Sequence, residues 1–168
     1  MENVRWLNER EERAWRSLQF MQMRLEGELA RQLSADSGLS YPDYLVLVAL
    51  TDHPDGRMRL FELAGVLGWE KSRLSHHVGR MAGRDLVTKE QCDSDRRGAY
   101  VIITKRGRTD IEAAAPGHAA AVRRLFVDRL TPSQLDAIGD AAGVVLAAFD
   151  EPVQEQPERA TRTRSLSR

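Results

Sequence analysis

The chain has 168 residues, with 25 Lys+Arg and 25 Asp+Glu, so its formal net charge is zero. At 42% hydrophobic and 30% charged residues it is expected to be a soluble globular protein of one domain, or one domain with a helical extension. The balance excludes a uniformly basic, generally sticky protein but not nucleic-acid binding, which depends on where the charge sits. No apolar run nears the roughly 18 residues of a membrane span. The N-terminus MENVRWLNEREERAW lacks the apolar stretch of a signal peptide. The single cysteine, Cys92, cannot form an internal disulfide, so a reducing cytoplasm is the expected compartment.

From about Asn8 to Leu33, Leu18, Met21, Leu25 and Leu29 recur at helical spacing among charges, which predicts an amphipathic helix. Gly38 suits a stop beyond its end. Ser40 is a good N-cap for a second helix, with Asp43 favouring its positive N-terminus. The apolar run Leu45 to Leu50 makes that helix a buried one. DHPDG, Asp52 to Gly56, is turn chemistry. A short helix from Leu60 to Leu67, broken by Gly68, precedes another from about Glu70 to Gly83. Two helices across a glycine turn suggest a helix-turn-helix. Leu86-Val87 and Ala99 to Ile103 read as short strands around the polar run Asp93 to Gly98, the pattern of a wing. Thr104 can cap a helix from about Lys105 to Arg129, with Pro116 as a kink. Thr131, Pro132 and Gln134 open a last helix carrying Leu135, Ile138, Val145 and Phe149. Residues 151–168 read as a disordered tail of Pro, Gln, Glu, Arg, Thr and Ser.

The charge is unevenly placed. From Lys71 to Arg108 there are ten Lys/Arg against four acids, a net of +6, so the rest of the chain carries −6. A basic module on an acidic scaffold fits a polyanion, although an ordinary solvated face has the same signature. In the helix at 70–83, Leu74, Val78 and Met81 form one apolar stripe. Ser72, His76 and Gly79 lie opposite it, and Arg73, Ser75 and Arg80 flank the outer face. With Lys71 these residues supply donors suited to phosphates and base edges, and arginine can bond guanine through two hydrogen bonds. In the wing, Asp95 can fix the direction of Arg97, next to Arg96, and an arginine at a hairpin tip can enter a narrow minor groove. A plain polar hairpin turn is the alternative.

With these residues in view the chain resembles the MarR (multiple-antibiotic-resistance regulator) family over about Glu12 to Asp150. The resemblance rests on ELAGVLG (Glu62 to Gly68), Asp85-Leu86-Val87, Asp95-Arg96-Arg97 and Ile103-Thr104-Lys105-Arg106-Gly107. The family pattern is a helix-turn-helix with ELA…LG, then GLV, a DRR wing and an LT..G helix start. Two departures stand out: Glu70 occupies an N-cap region where Ser or Asp is typical, and Asp85 replaces the usual glycine. The resemblance implies a mainly α protein: a winged helix-turn-helix with a small β-hairpin wing and a helical dimerisation region. On this reading the domain spans residues 8–150, with a DNA-binding lobe at 58–104 and dimerisation helices at 8–38 and 105–150. The implied function is that of a homodimeric transcriptional repressor on a pseudo-palindromic double-stranded operator, released by a small aromatic or anionic ligand. The apolar stripes of the first and last helices independently favour a partner copy, because so small a lobe cannot bury them.

Trp15, Phe20, Tyr44 and His53 are candidates for the ligand pocket; as core or interface aromatics they would need no ligand. Cys92 lacks a visible activating partner, which makes an inert thiol the plainer reading. His53, His76, His77, His118 and Cys92 do not have zinc-site spacing. There is no phosphate-binding glycine loop or nucleophile elbow, so no enzyme activity, cofactor or metal is expected. A winged-helix dimer acting mainly through protein contacts is the competing reading.

Overall fold

Asn8 opens the first helix, α1 (Glu9–Ser37): its side chain accepts from the N–H groups of Arg10 and Glu11, while the Glu11 carboxylate accepts from Asn8 N–H. The computed structural model describes residues 4–92 and 95–150, without the side chains at 92, 95–98 and 150; the expected tail lies outside the described residues. Two units are distinguished, Met1–Arg129 and Leu130–Arg168.

In the first unit α1 continues past Leu33 to Ser37, where Gly38 closes it in the left-handed conformation at φ 69°. Ser40 and Asp43 cap α2 (Tyr41–Asp52) reciprocally. After the turn, the chain forms a short strand, β1 (Arg57–Arg59), that the sequence reading does not anticipate. The helix-turn-helix follows as α3 (Leu60–Leu67) and α4 (Lys71–Ala82). Gly68 (φ 63°) ends α3, with Trp69 N–H donating to the Ala64 carbonyl and Gly68 N–H to Gly65. The same motif ends α4: Leu86 N–H donates to Met81 and Asp85 N–H to Ala82. Here Asp85 takes the left-handed position, φ 61°, that glycine usually fills.

The strands β2 (Val87–Cys92) and β3 (Asp95–Ile103) are longer than expected, because cross-strand pairing carries them well beyond the buried residues. The sheet is antiparallel in the order β1-β3-β2. Thr104 then caps α5 (Lys105–Leu125), which gives way to a 3₁₀ turn at Val127–Arg129 rather than running on as α-helix. Leu33, Val46, Leu47, Leu50, Leu63, Leu74, Val78, Met81, Val87 and Val101 make one core under α4 and the sheet. In the second unit, Thr131 and Gln134 cap α6 (Pro132–Asp150) reciprocally, with Pro132 at its first position. No described helix is long and apolar enough to cross a membrane.

Candidate nucleic-acid interface

The helix α4 divides cleanly. Leu74, His77, Val78 and Met81 are buried, whereas Lys71, Ser72, Arg73, His76, Gly79 and Arg80 are exposed and Ser75 is half-buried. The expected apolar stripe therefore gains a histidine: His77 joins the inner face. Every candidate donor on α4 reaches the opposite side or its edge. Glu70 makes no side-chain cap, so it does not neutralise the first-turn N–H groups of α4.

Two of the outward arginines have fixed supports. The Arg73 guanidinium lies over the Trp69 ring, 4.7 Å from its centroid. Arg80 Nη2 is 2.9 Å from His77 Nδ1. Behind them, Asp43 is 1% exposed and is approached by polar groups from three directions. Arg84 donates to its Oδ1 at 2.5 Å, Ser40 N–H to its Oδ2 at 3.0 Å, and His77 Nε2 stands 3.1 Å from Oδ1. The histidine contact is bent, and so acts chiefly as an electrostatic attraction. Burial alone would raise the Asp43 carboxyl, but the contacts with His77, Arg84 and Ser40 outweigh it and hold the group well below the usual carboxylate range. This cluster ties α2 to α4.

The helix α4 and the turn after it are tied again by later parts of the chain. Lys89 Nζ, on β2, donates to the Ser75 carbonyl at 3.0 Å. The Thr104 hydroxyl donates to the Asp85 carbonyl at 2.6 Å and accepts from Gly107 N–H at 2.9 Å. Gly107 is indispensable to this approach, since a Cβ there would stand 2.1 Å from the Leu86 carbonyl oxygen. The sequence pieces Asp85-Leu86-Val87 and Thr104…Gly107, read separately along the chain, thus meet in one joint.

Asp95, Arg96 and Arg97 fall in the hairpin's β3, but their side chains lie outside the described residues, as does that of Cys92. At the root of the wing Arg57 lies over the Tyr100 ring at 4.0 Å and Arg59 at 5.1 Å. The four candidate pocket residues do not converge. Trp15 and Phe20 are exposed on α1, Phe20 in a shallow groove with Arg13 and Arg16. His53 borders a hollow with Arg57, Arg59 and Tyr100. Tyr44 is half-buried against His118, with ring centroids 4.3 Å apart. Sequence reasoning missed His118 here, because it lies on another helix. Burial lowers the basicity of its imidazole, and its buried Nδ1 has no partner among the described residues. No group of three His, Cys, Asp or Glu able to hold a metal occurs among the described residues.

A helix-turn-helix, a three-stranded antiparallel wing sheet and a donor-bearing second helix define the winged-helix class of DNA-binding proteins. The family model described as "MarR family" matches residues 37–98. The chain is similar to AbsC, a MarR family transcriptional regulator from Streptomyces coelicolor, at 37% identity over 88% of this chain and 99% of that one, with a TM-score of 0.80. It is also similar to Sco3205, a MarR family transcriptional regulator from the same organism solved in complex with DNA, at 38% identity over 90% of this chain and 94% of that one, TM-score 0.82. A mutant MarR from E. coli complexed with operator DNA, 19% identical over 78% of this chain and 91% of that one, shares the fold at a TM-score of 0.70. Comparison with curated protein sequences finds no match. The chain belongs to the MarR family of transcriptional regulators.

Proposed function

We propose that two copies of this chain bind a pseudo-palindromic operator in duplex DNA and repress transcription there until a small ligand releases them. The observation that carries the reading is the division of α4: its inner face is locked into the core, and its outer face presents Lys71, Ser72, Arg73, Ser75, His76 and Arg80. Such donors can read bases or bond phosphates. The similarity to Sco3205, solved with DNA, supports the same docking. In this reading Arg97 enters the minor groove beside α4, Asp95 orients it, and Arg96 adds to the contact with DNA.

The dimer uses residues 8–38 and 105–150. Trp15, Leu18, Phe20, Met21 and Met23 leave much of α1 apolar and exposed, and Val144, Val145, Leu146 and Phe149 do the same on α6. A second copy would cover both faces. For the effector, a small aromatic or anionic molecule, Tyr44 with its neighbour His118 is the best supported contact; Trp15, Phe20 and His53 would have to act from elsewhere.

Footprinting on the DNA upstream of the protein's own gene tests the reading. Two protected half-sites are expected, about one helical turn apart. Arg73→Ala should weaken that specific binding by about 1–3 kcal/mol while leaving the fold intact. A folded dimer that protects no DNA would favour a role in protein contacts instead.

A further inference from the structure

Of the polar side chains on α4, only His77 is buried, and DNA contact by the outer face leaves it without a task. Its three neighbours give it one. The Trp69 ring meets it edge-on, with centroids 5.7 Å apart. Arg80 Nη2 approaches Nδ1 at 2.9 Å, and Asp43 Oδ1 stands 3.1 Å from Nε2. A guanidinium can only donate, so Nδ1 must accept. The ring hydrogen of the neutral imidazole then sits on Nε2, facing the Asp43 carboxylate. Asp43 is itself pinned by Ser40 and Arg84, so the tautomer is set from the core of the lobe. The side chain it acts on, Arg80, is exposed on the face proposed to meet DNA.

We propose that His77 is a positioning residue for DNA recognition: with its tautomer fixed by Asp43, it holds the Arg80 guanidinium from behind in its DNA-contacting pose. The proposal rests on the reading of Arg80 as a DNA contact. A free arginine side chain loses rotamer freedom when it binds; one already held loses less, and affinity rises accordingly. The charge delivered to DNA is the same with or without His77, but its aim is not.

Two substitutions separate the ring's two contacts. In His77→Gln the amide nitrogen can stand in for Nε2 towards Asp43, but nothing accepts from Arg80. In His77→Asn the amide oxygen can stand in for Nδ1, and the contact to Asp43 is lost. Affinity for the footprinted duplex and thermal melting should be measured for both, each with and without Arg80→Ala. His77→Gln is expected to melt near the wild type and to bind about threefold to tenfold more weakly, the worth of one hydrogen bond. That loss should vanish in the Arg80→Ala background. His77→Asn should keep most of the affinity and melt lower. Wild-type affinity in His77→Gln, or an equal loss with and without Arg80, overturns the proposal. If His77→Gln does not fold, His77→Asn decides: binding as weak as that of Arg80→Ala rejects the role. Wild-type affinity in Arg80→Ala alone would remove the DNA contact itself, a different failure from an unaffected His77→Gln beside a weakened Arg80→Ala.

Discussion

A carboxylate as buried as Asp43 persists in a lobe this small only because each of its oxygens has a partner. Its folded pKa is depressed, so its stabilisation is complete above the ordinary value of 3.8 and is lost as pH falls towards the lower folded value. Asp43→Asn should cost roughly 2–3 kcal/mol at neutral pH, the scale of hydrogen bonds to a charged group. Urea melts from pH 7 down to about pH 3 should show the gap between wild type and variant narrowing below about pH 4; a constant gap would mean the charge is not what matters. Asp85 presents the opposite case, a residue in a conformation that suits glycine better. Asp85→Gly should raise stability by about 0.5–1 kcal/mol, relief of left-handed strain offset in part by the unfolded-state entropy of glycine. A lower melting temperature would contradict this. The Asp85 departure from the family pattern was visible in the sequence. The Asp43 cluster was not, because Arg84 and Asp43 are 41 positions apart and Asp43 already had a local role as a cap. His77 did leave a signal, since it falls three residues after Leu74 and four before Met81, the spacings that share a helix face.

The helices were legible where their ends carry their own chemistry. Ser40, Thr104 and Thr131 cap α2, α5 and α6, and Gly38 and Gly68 close α1 and α3, as their residue types dictate. Elements held by pairing rather than by periodicity were harder to read. Three residues, Arg57 to Arg59, offer too short an alternation to announce β1, which exists because it pairs with Tyr100 to Ile102. Thr88 to Gln91 in the outer part of β2 are polar and exposed, and the sequence of the outer part of β3, Asp95 to Gly98, is likewise without apolar residues, so no apolar pattern marks them. For α4 the two faces should separate by experiment. Val78→Asp puts a charge into a fully buried position and should unfold the lobe, a loss of more than about 4 kcal/mol, seen as missing cooperative melting. His76→Ala, on the exposed face, should melt like the wild type within about 0.5 kcal/mol. A folded Val78→Asp variant would show that α4 is not anchored by that stripe.

For the molecule as a whole, the apolar faces of α1 and α6 predict that a folded monomer is not stable by itself. Light scattering across a dilution series into the micromolar range should find dimer throughout, and dissociation should coincide with unfolding; a folded monomer there would refute the assembly. The basic segment from Lys71 to Arg108 was legible as a charge excess, but the ion pairs its cations make with acids outside it change what that excess can do. Arg84 is committed to Asp43, and Arg106 lies 3.7 Å from Asp110. Counterions condensed on DNA are released by cations that meet phosphates, not by those already neutralised within the protein. The salt dependence of operator binding should therefore be shallower than ten cations per chain would give. Loss of a phosphate-contacting lysine such as Lys71 should lower its slope by about one, and loss of Arg84 should leave it nearly unchanged. The buried carboxylate of Asp43 would thus take one cation, from inside the lobe, out of the count that decides how steeply a DNA complex responds to the ionic strength around it.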